Sequence, residues 1–105
     1  MDIIAKIAEE LKIKRTQVEA AVNLIDEGNT IPFIARYRKE AIGELSDEIL
    51  RDLSARLEYL RNFEAKKEEI TRLIDEQGKL TEELVAQIEN AKTITELDDI
   101  YRPYR

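Results

Sequence analysis

Apolar residues recur at helical spacing along almost the whole chain, and the breaks between stripes fall at glycine, proline and a few hydroxyl or acidic residues. Ile3, Ile4, Ile7 and Leu11 share one stripe, which predicts a first helix over about 2–11. A second helix is expected to begin at Thr16, because Glu19 stands at the spacing of a capping box. It carries Val18, Ala21, Val22 and Ile25 on one face and stops at Gly28, since glycine accepts the left-handed conformation with which many helices end. Thr30 or Ile31 then caps a short third helix running from Pro32 to Lys39 or Ala41, with Pro32 in the first turn, where its missing N–H is harmless. At about 100° per residue, Phe33, Ile34, Tyr37 and Ala41 gather on one side. Pro32, Phe33, Ile34 and Tyr37 are therefore expected to be buried, while Arg36, Arg38 and Lys39 lie outside that arc, and Gly43 marks the end.

A long helix is predicted over about 47–77, with Asp47 and Glu48 suited to the positive end of its dipole. Leu50, Leu53, Leu57 and Leu60 step as in a heptad seam. Phe63 then arrives early, and Lys66, Lys67, Glu68 and Glu69 interrupt before Ile70, Leu73 and Ile74. A coiled coil would sustain its repeat over about three or four heptads, so the reading is a long helix packed against short neighbours. Gly78 ends it. Thr81 caps the next helix, with Leu80 and Val85 placed as a hydrophobic staple and Leu84, Val85 and Ile88 as its apolar side up to Asn90. Thr93 with Glu96 repeats the capping-box spacing before Ile94, Leu97 and Ile100, and Pro103 closes the last helix. No strand alternation or hairpin turn pair occurs. The fold class is all-α: helix-turn-helix-like N-terminal helices over 1–44, then the long helix and two short helices over 45–105.

Composition narrows the chemistry. The 105 residues are 38% charged and 43% apolar, a mix suited to one small helical domain. No apolar run approaches the roughly 20 residues that span a bilayer and no signal peptide opens the chain, so a cytoplasmic protein without membrane contact is the expectation. Cysteine and histidine are both absent, which removes thiolate and imidazole metal sites, disulfides, and Ser-His or Cys-His catalysis. The net charge of -6 argues against the whole chain being a strong nucleic-acid binder, because affinity for phosphate comes largely from lysine and arginine. The charge is uneven, however. Residues 1–44 carry seven basic and eight acidic side chains, residues 45–105 ten and fifteen, and within 30–42 three cations face Glu40 alone.

Adjacent carboxylates at Asp98–Asp99 and Glu82–Glu83 point about 100° apart on a helix and so converge on no shared proton or metal. No Walker loop, Rossmann glycine pattern or HExxH motif is present. No catalytic residue, cofactor or metal is expected. The second and third helices, joined by Gly28-Asn29-Thr30, have the length and glycine of a helix-turn-helix pair, in which Arg36, Arg38 and Lys39 could reach bases or phosphates. Phe33 and Tyr37 read as core more readily than as a stacking platform. The closing Tyr101-Arg102-Pro103-Tyr104-Arg105 adds Arg102 and Arg105 to the candidate nucleic-acid contacts. Two tyrosines after the last helix suggest a longer chain whose next domain would cover them.

The stretch Asn29-Thr30-Ile31-Pro32-Phe33-Ile34-Ala35-Arg36-Tyr37-Arg38-Lys39-Glu40 resembles the N-terminal signature of the Tex family of bacterial transcription accessory proteins. Glu76-Gln77-Gly78-Lys79-Leu80-Thr81 and Leu97-Asp98-Asp99-Ile100-Tyr101-Arg102-Pro103-Tyr104-Arg105 are similar to its next two landmarks, in the same order. Ile42-Gly43-Glu44 stands where the family often has Thr-Gly-Gly, and Arg102 where leucine is usual. The resemblance implies a longer parent that continues into an RNase H-like domain, helix-hairpin-helix elements and an OB-fold that binds RNA. It implies a helical N-terminal module without catalysis, whose partners are the remaining domains of that parent, RNA or DNA through the parent, and the transcription machinery. A fragment lacking those domains is expected to associate with them or with itself.

Overall fold

In the computed structural model, which describes residues 1–105, every regular element is helical. The elements are α1 (Ile3–Leu11), α2 (Arg15–Asp26), α3 (Ile31–Tyr37), α4 (Asp47–Glu76), α5 (Glu82–Asn90), α6 (Ile94–Tyr101) and a 3₁₀ turn over Arg102–Tyr104. The all-α reading holds. No helix is long and apolar enough to cross a membrane.

Most helix starts follow their side-chain chemistry. Asp2 caps α1 by accepting from the Ala5 N–H at 3.0 Å, Thr81 caps α5 by accepting from Leu84, and Thr93 caps α6 by accepting from Glu96. The start of α2 differs from expectation. Lys14 is its cap, and Thr16 lies inside the helix. The Gln17 side chain reaches back to accept the Lys14 N–H at 2.9 Å. Lysine offers no acceptor, so only this half of a capping box forms.

The chain packs as two units, residues 1–60 and 61–105, with the division inside α4. In the first unit, Ile7, Val18, Ala21, Val22 and Ile34 bury against Leu50, Leu53, Leu57 and Leu60 of α4, together with Ile42 and Leu45 of the preceding turn. In the second, Phe63, Ile70 and Ile74 of α4 bury with Ile88, Ala91 and Leu97.

The sequence of α4 explains the division. Leu50, Leu53, Leu57 and Leu60 step by three, four and three; Phe63 follows after three instead of four, and Lys67, Ile70 and Ile74 restart the alternation. One helix thus carries two seams out of register by a residue. Lys67, read from sequence as an interruption, occupies a seam position. Its side chain is only 12% exposed, its ammonium lies 4.8 Å from the Phe63 ring centroid, and it donates to the Glu89 carbonyl at 3.0 Å. The methylene stem does the burying while the charge finds a carbonyl and, at 3.6 Å, the Glu64 carboxylate.

Candidate functional site

α3 is positioned from both ends. Gly28, at φ +97°, ends α2 with the paired bonds of a Schellman motif: its N–H donates to Ile25 and the Asn29 N–H donates to Leu24. The Asn29 side chain adds a second bond to the Leu24 carbonyl at 2.8 Å. Thr30 then caps α3 by accepting from the Phe33 N–H at 3.2 Å. Beyond α3, the chain closes a turn through the Glu44 N–H to the Lys39 carbonyl, with Gly43 and Glu44 both at positive φ. The Gln17 side chain ties that turn to the start of α2 by donating to the Gly43 carbonyl at 2.9 Å. A Cβ at Gly43 would stand 2.7 Å from Gln17 Nε2, so glycine meets both the backbone and the packing demand.

This framework corrects the predicted burial of α3. Ile34 is fully buried, with Ile31 and Ala35 packed beside it on the same stripe. Pro32 is exposed, Phe33 is 37% exposed and Tyr37 is 58% exposed. The helix ends at Tyr37, so Ala41 never joins a helical face; Ile42 enters the core from the turn instead. The i, i+3, i+4 set of Ile31, Ile34 and Ala35 takes the core, which leaves Phe33 about 100° and Tyr37 about 60° round the helix from Ile34, on the side away from Ala35.

The exposed rings meet each other. Phe33 and Tyr37 have centroids 5.1 Å apart with planes tilted by 46°. The Arg36 guanidinium lies 5.5 Å from the Tyr37 centroid and that of Arg38 5.4 Å from the Phe33 centroid, both within cation–π range. Arg36, Arg38 and Lys39 form no ion pair; the Arg38 guanidinium donates only to the neighbouring Tyr37 carbonyl. With Tyr37, Glu40 and Glu44 they line a shallow depression of 550 Å³. The arrangement presents two rings, three uncompensated cations and two carboxylates to solvent.

Arg102 and Arg105 belong to the other unit and to a different setting. Arg102 pairs with Asp99 at 2.8 Å. Arg105 lines a 390 Å³ groove with Lys66, Asp98 and Tyr101. Lys66 holds the Asp98 carboxyl below its ordinary range, chiefly through a 2.6 Å contact, with Arg105 and Arg102 contributing more weakly through their charge. Tyr101 and Tyr104 are half-buried against their own unit's core, and the Gln77 side chain donates to the Tyr104 carbonyl at 2.6 Å.

Residues 1–75, which hold the whole α3 surface and nearly all of α4, match the family model described as the Tex-like protein N-terminal domain. This chain belongs to the Tex-like N-terminal domain family. It is 50% identical over all 105 residues to the transcriptional accessory protein Tex of Neisseria gonorrhoeae, of which it covers 14%. Over 103 residues, 98% of the chain, it is 50% identical to protein tex of Bordetella pertussis, covering 13% of that protein. The S1 RNA-binding domain-containing protein 1 of Homo sapiens is 35% identical over 104 residues, 99% of the chain and 10% of the relative. The chain thus spans about one seventh of the Neisseria relative and less of the others, and the Tex-like relatives are larger proteins with further sequence beyond the region shared with it.

Proposed function

We propose that this chain is a non-catalytic helical module of a cytoplasmic, Tex-type transcription accessory protein. Its role is architectural: α4 and its short neighbours hold the α3 surface in place and offer it to partners, foremost the remaining domains of the parent and the transcription machinery. RNA is contacted by a later domain of the parent, in keeping with the name of the human relative. The observation that carries this reading is the exposed Phe33–Tyr37 pair flanked by unpaired cations. Exposed aromatic and arginine side chains on a rigid support are the residue types that dominate protein interfaces.

The competing reading is direct nucleic-acid contact by a helix-turn-helix-like pair using Arg36, Arg38 and Lys39, with Arg102 and Arg105 as a separate set. Its support is the absence of carboxylate partners around the first three. A binding comparison of this chain, the full parent and the parent lacking it separates the two. The architectural role predicts that the chain rejoins the parent lacking it in trans, and that substituting Phe33 and Tyr37 weakens this. A monomer indifferent to the downstream domains overturns it.

A further inference from the structure

We infer that the groove between α4 and α6, within residues 61–105, seats an apolar side chain from the segment that directly follows position 105 in the parent. The inference rests on the reading that further domains follow this module, and it names where the first of the following residues are held. One wall is a stripe of α4 formed by Ala65, Glu69 and Leu73. At about 100° per residue, that stripe stands about 120° round the helix from the Phe63–Ile70–Ile74 seam, so the unit's own core leaves it uncovered. Leu73 is half-buried and belongs to neither core cluster. The opposite wall is Asp98 and Tyr101 of α6, with Arg105 beyond them. Lys66 of α4 reaches Asp98 at 2.6 Å and ties the walls together, so the 390 Å³ space between them is already formed.

The chemistry of the lining selects an apolar occupant. Its charges are two of each sign, Lys66 and Arg105 against Glu69 and Asp98, and so favour no charged ligand. Its size selects a tethered one. A stable complex between separate chains buries about 800 Å² per partner over roughly 20–30 residues a side, far more than one such groove offers. A segment joined to the chain needs much less, because a short tether holds it at an effective concentration on the order of millimolar. The relatives supply that tether. The family model matching residues 1–75 is an N-terminal domain, and the Neisseria relative matches all 105 residues within 14% of its own length, so most of such a protein lies downstream. Arg105 lines the groove, and the downstream chain therefore sets out from the groove's edge. At up to about 3.5 Å per residue, a few residues bring a side chain over Leu73.

The chain has no cysteine, so an introduced thiol reports on the groove. Leu73→Cys is alkylated with iodoacetamide, and the modified fraction of its peptide is followed by mass spectrometry. The rate is compared among this chain, the chain extended by the parent's next residues (roughly 20, ample to cross the groove), and the full parent. Ala65→Cys, which changes the lining least, repeats the measurement, and circular dichroism checks the fold of each variant. Asp75→Cys, exposed and roughly 160° round α4 from Leu73, is the control. Expected is alkylation at both groove positions slowed about tenfold by the extension, as for a groove filled about nine-tenths of the time, with the control unchanged. Equal rates with and without the extension overturn the inference, as does an equal slowing at Asp75→Cys. Protection that appears only in the full parent overturns it too, by giving the groove to a later domain. After any of these failures, the architectural role still stands if the chain rejoins the parent lacking it in trans.

Discussion

Residues 33–39 and residues 101–105 use the same side-chain vocabulary, aromatic rings interleaved with arginine, and reach opposite outcomes. In the first, the rings face solvent and the cations find no carboxylate. In the second, Tyr101 and Tyr104 pack against the core cluster of their unit, and Arg102 is matched by Asp99. Residue type alone does not separate a solvent-facing cluster from one held against its own core. What separates them is which side chains reach a core: on α3 Ile31, Ile34 and Ala35 do so and the rings stay outside, whereas Tyr101 and Tyr104 pack against theirs.

The sharpest contrast lies between neighbours on α3. Ile34→Ala should destabilise the first unit by about 2–4 kcal/mol, as for other large-to-small changes at fully buried sites, whereas Phe33→Ala should cost under about 1 kcal/mol. Urea denaturation of both variants measures this, and similar losses would mean that the rings do belong to the core. Next, Tyr104→Ala should cost about 1–2 kcal/mol and Tyr37→Ala less than about 0.5 kcal/mol, because only the former removes apolar area held against a core. Equal midpoints for the pair would erase the distinction between the two segments.

The smallest effect concerns acid. Arg56 grips Glu10 through two bonds of 2.6 and 2.8 Å and so holds its carboxyl below the ordinary range. The Ala5 N–H, then Arg15, do the same for Asp2. A carboxyl whose folded value is depressed stabilises fully above its unfolded value of about 4.3, and that contribution is lost as pH falls through the folded value. Acid should therefore loosen the ties of α1. For this partly exposed pair the Glu10 contribution is under about 1 kcal/mol, and Glu10→Gln should shrink the drop in urea midpoint between neutral pH and about pH 3. An undiminished drop would remove Glu10 from the account.

Much of the fold was legible because helix ends are local chemistry. Thr30, Thr81 and Thr93 cap as their spacing implies, and Gly28 and Gly78 stop helices with positive φ. Thr16 misled because a good capping residue stands next to the real start, where Gln17 supplies the bond and Lys14 only the backbone. The exposure of Arg36, Arg38 and Lys39 was legible too. That of the rings was not, because Phe33 and Tyr37 share a helical arc with Ile34, and hydrophobicity ranks aromatic above Ala35. Only tertiary packing decides which side of such a helix turns inward. Lys67 was misread for the converse reason: a charge in a seam looks like a break until the carbonyl that receives it is in place.

The register shift in α4 has a consequence for how the helix opens. Amide protons around Leu53 and Leu57 are guarded by the core of residues 1–60, and those around Ile70 and Ile74 by the core of residues 61–105. An unbroken ladder of backbone bonds can therefore carry two protection levels, each set by a different cluster of side chains. Slow hydrogen exchange along α4 would read out two local stabilities from a single helix, with the change between them falling where Leu60 gives way to Phe63.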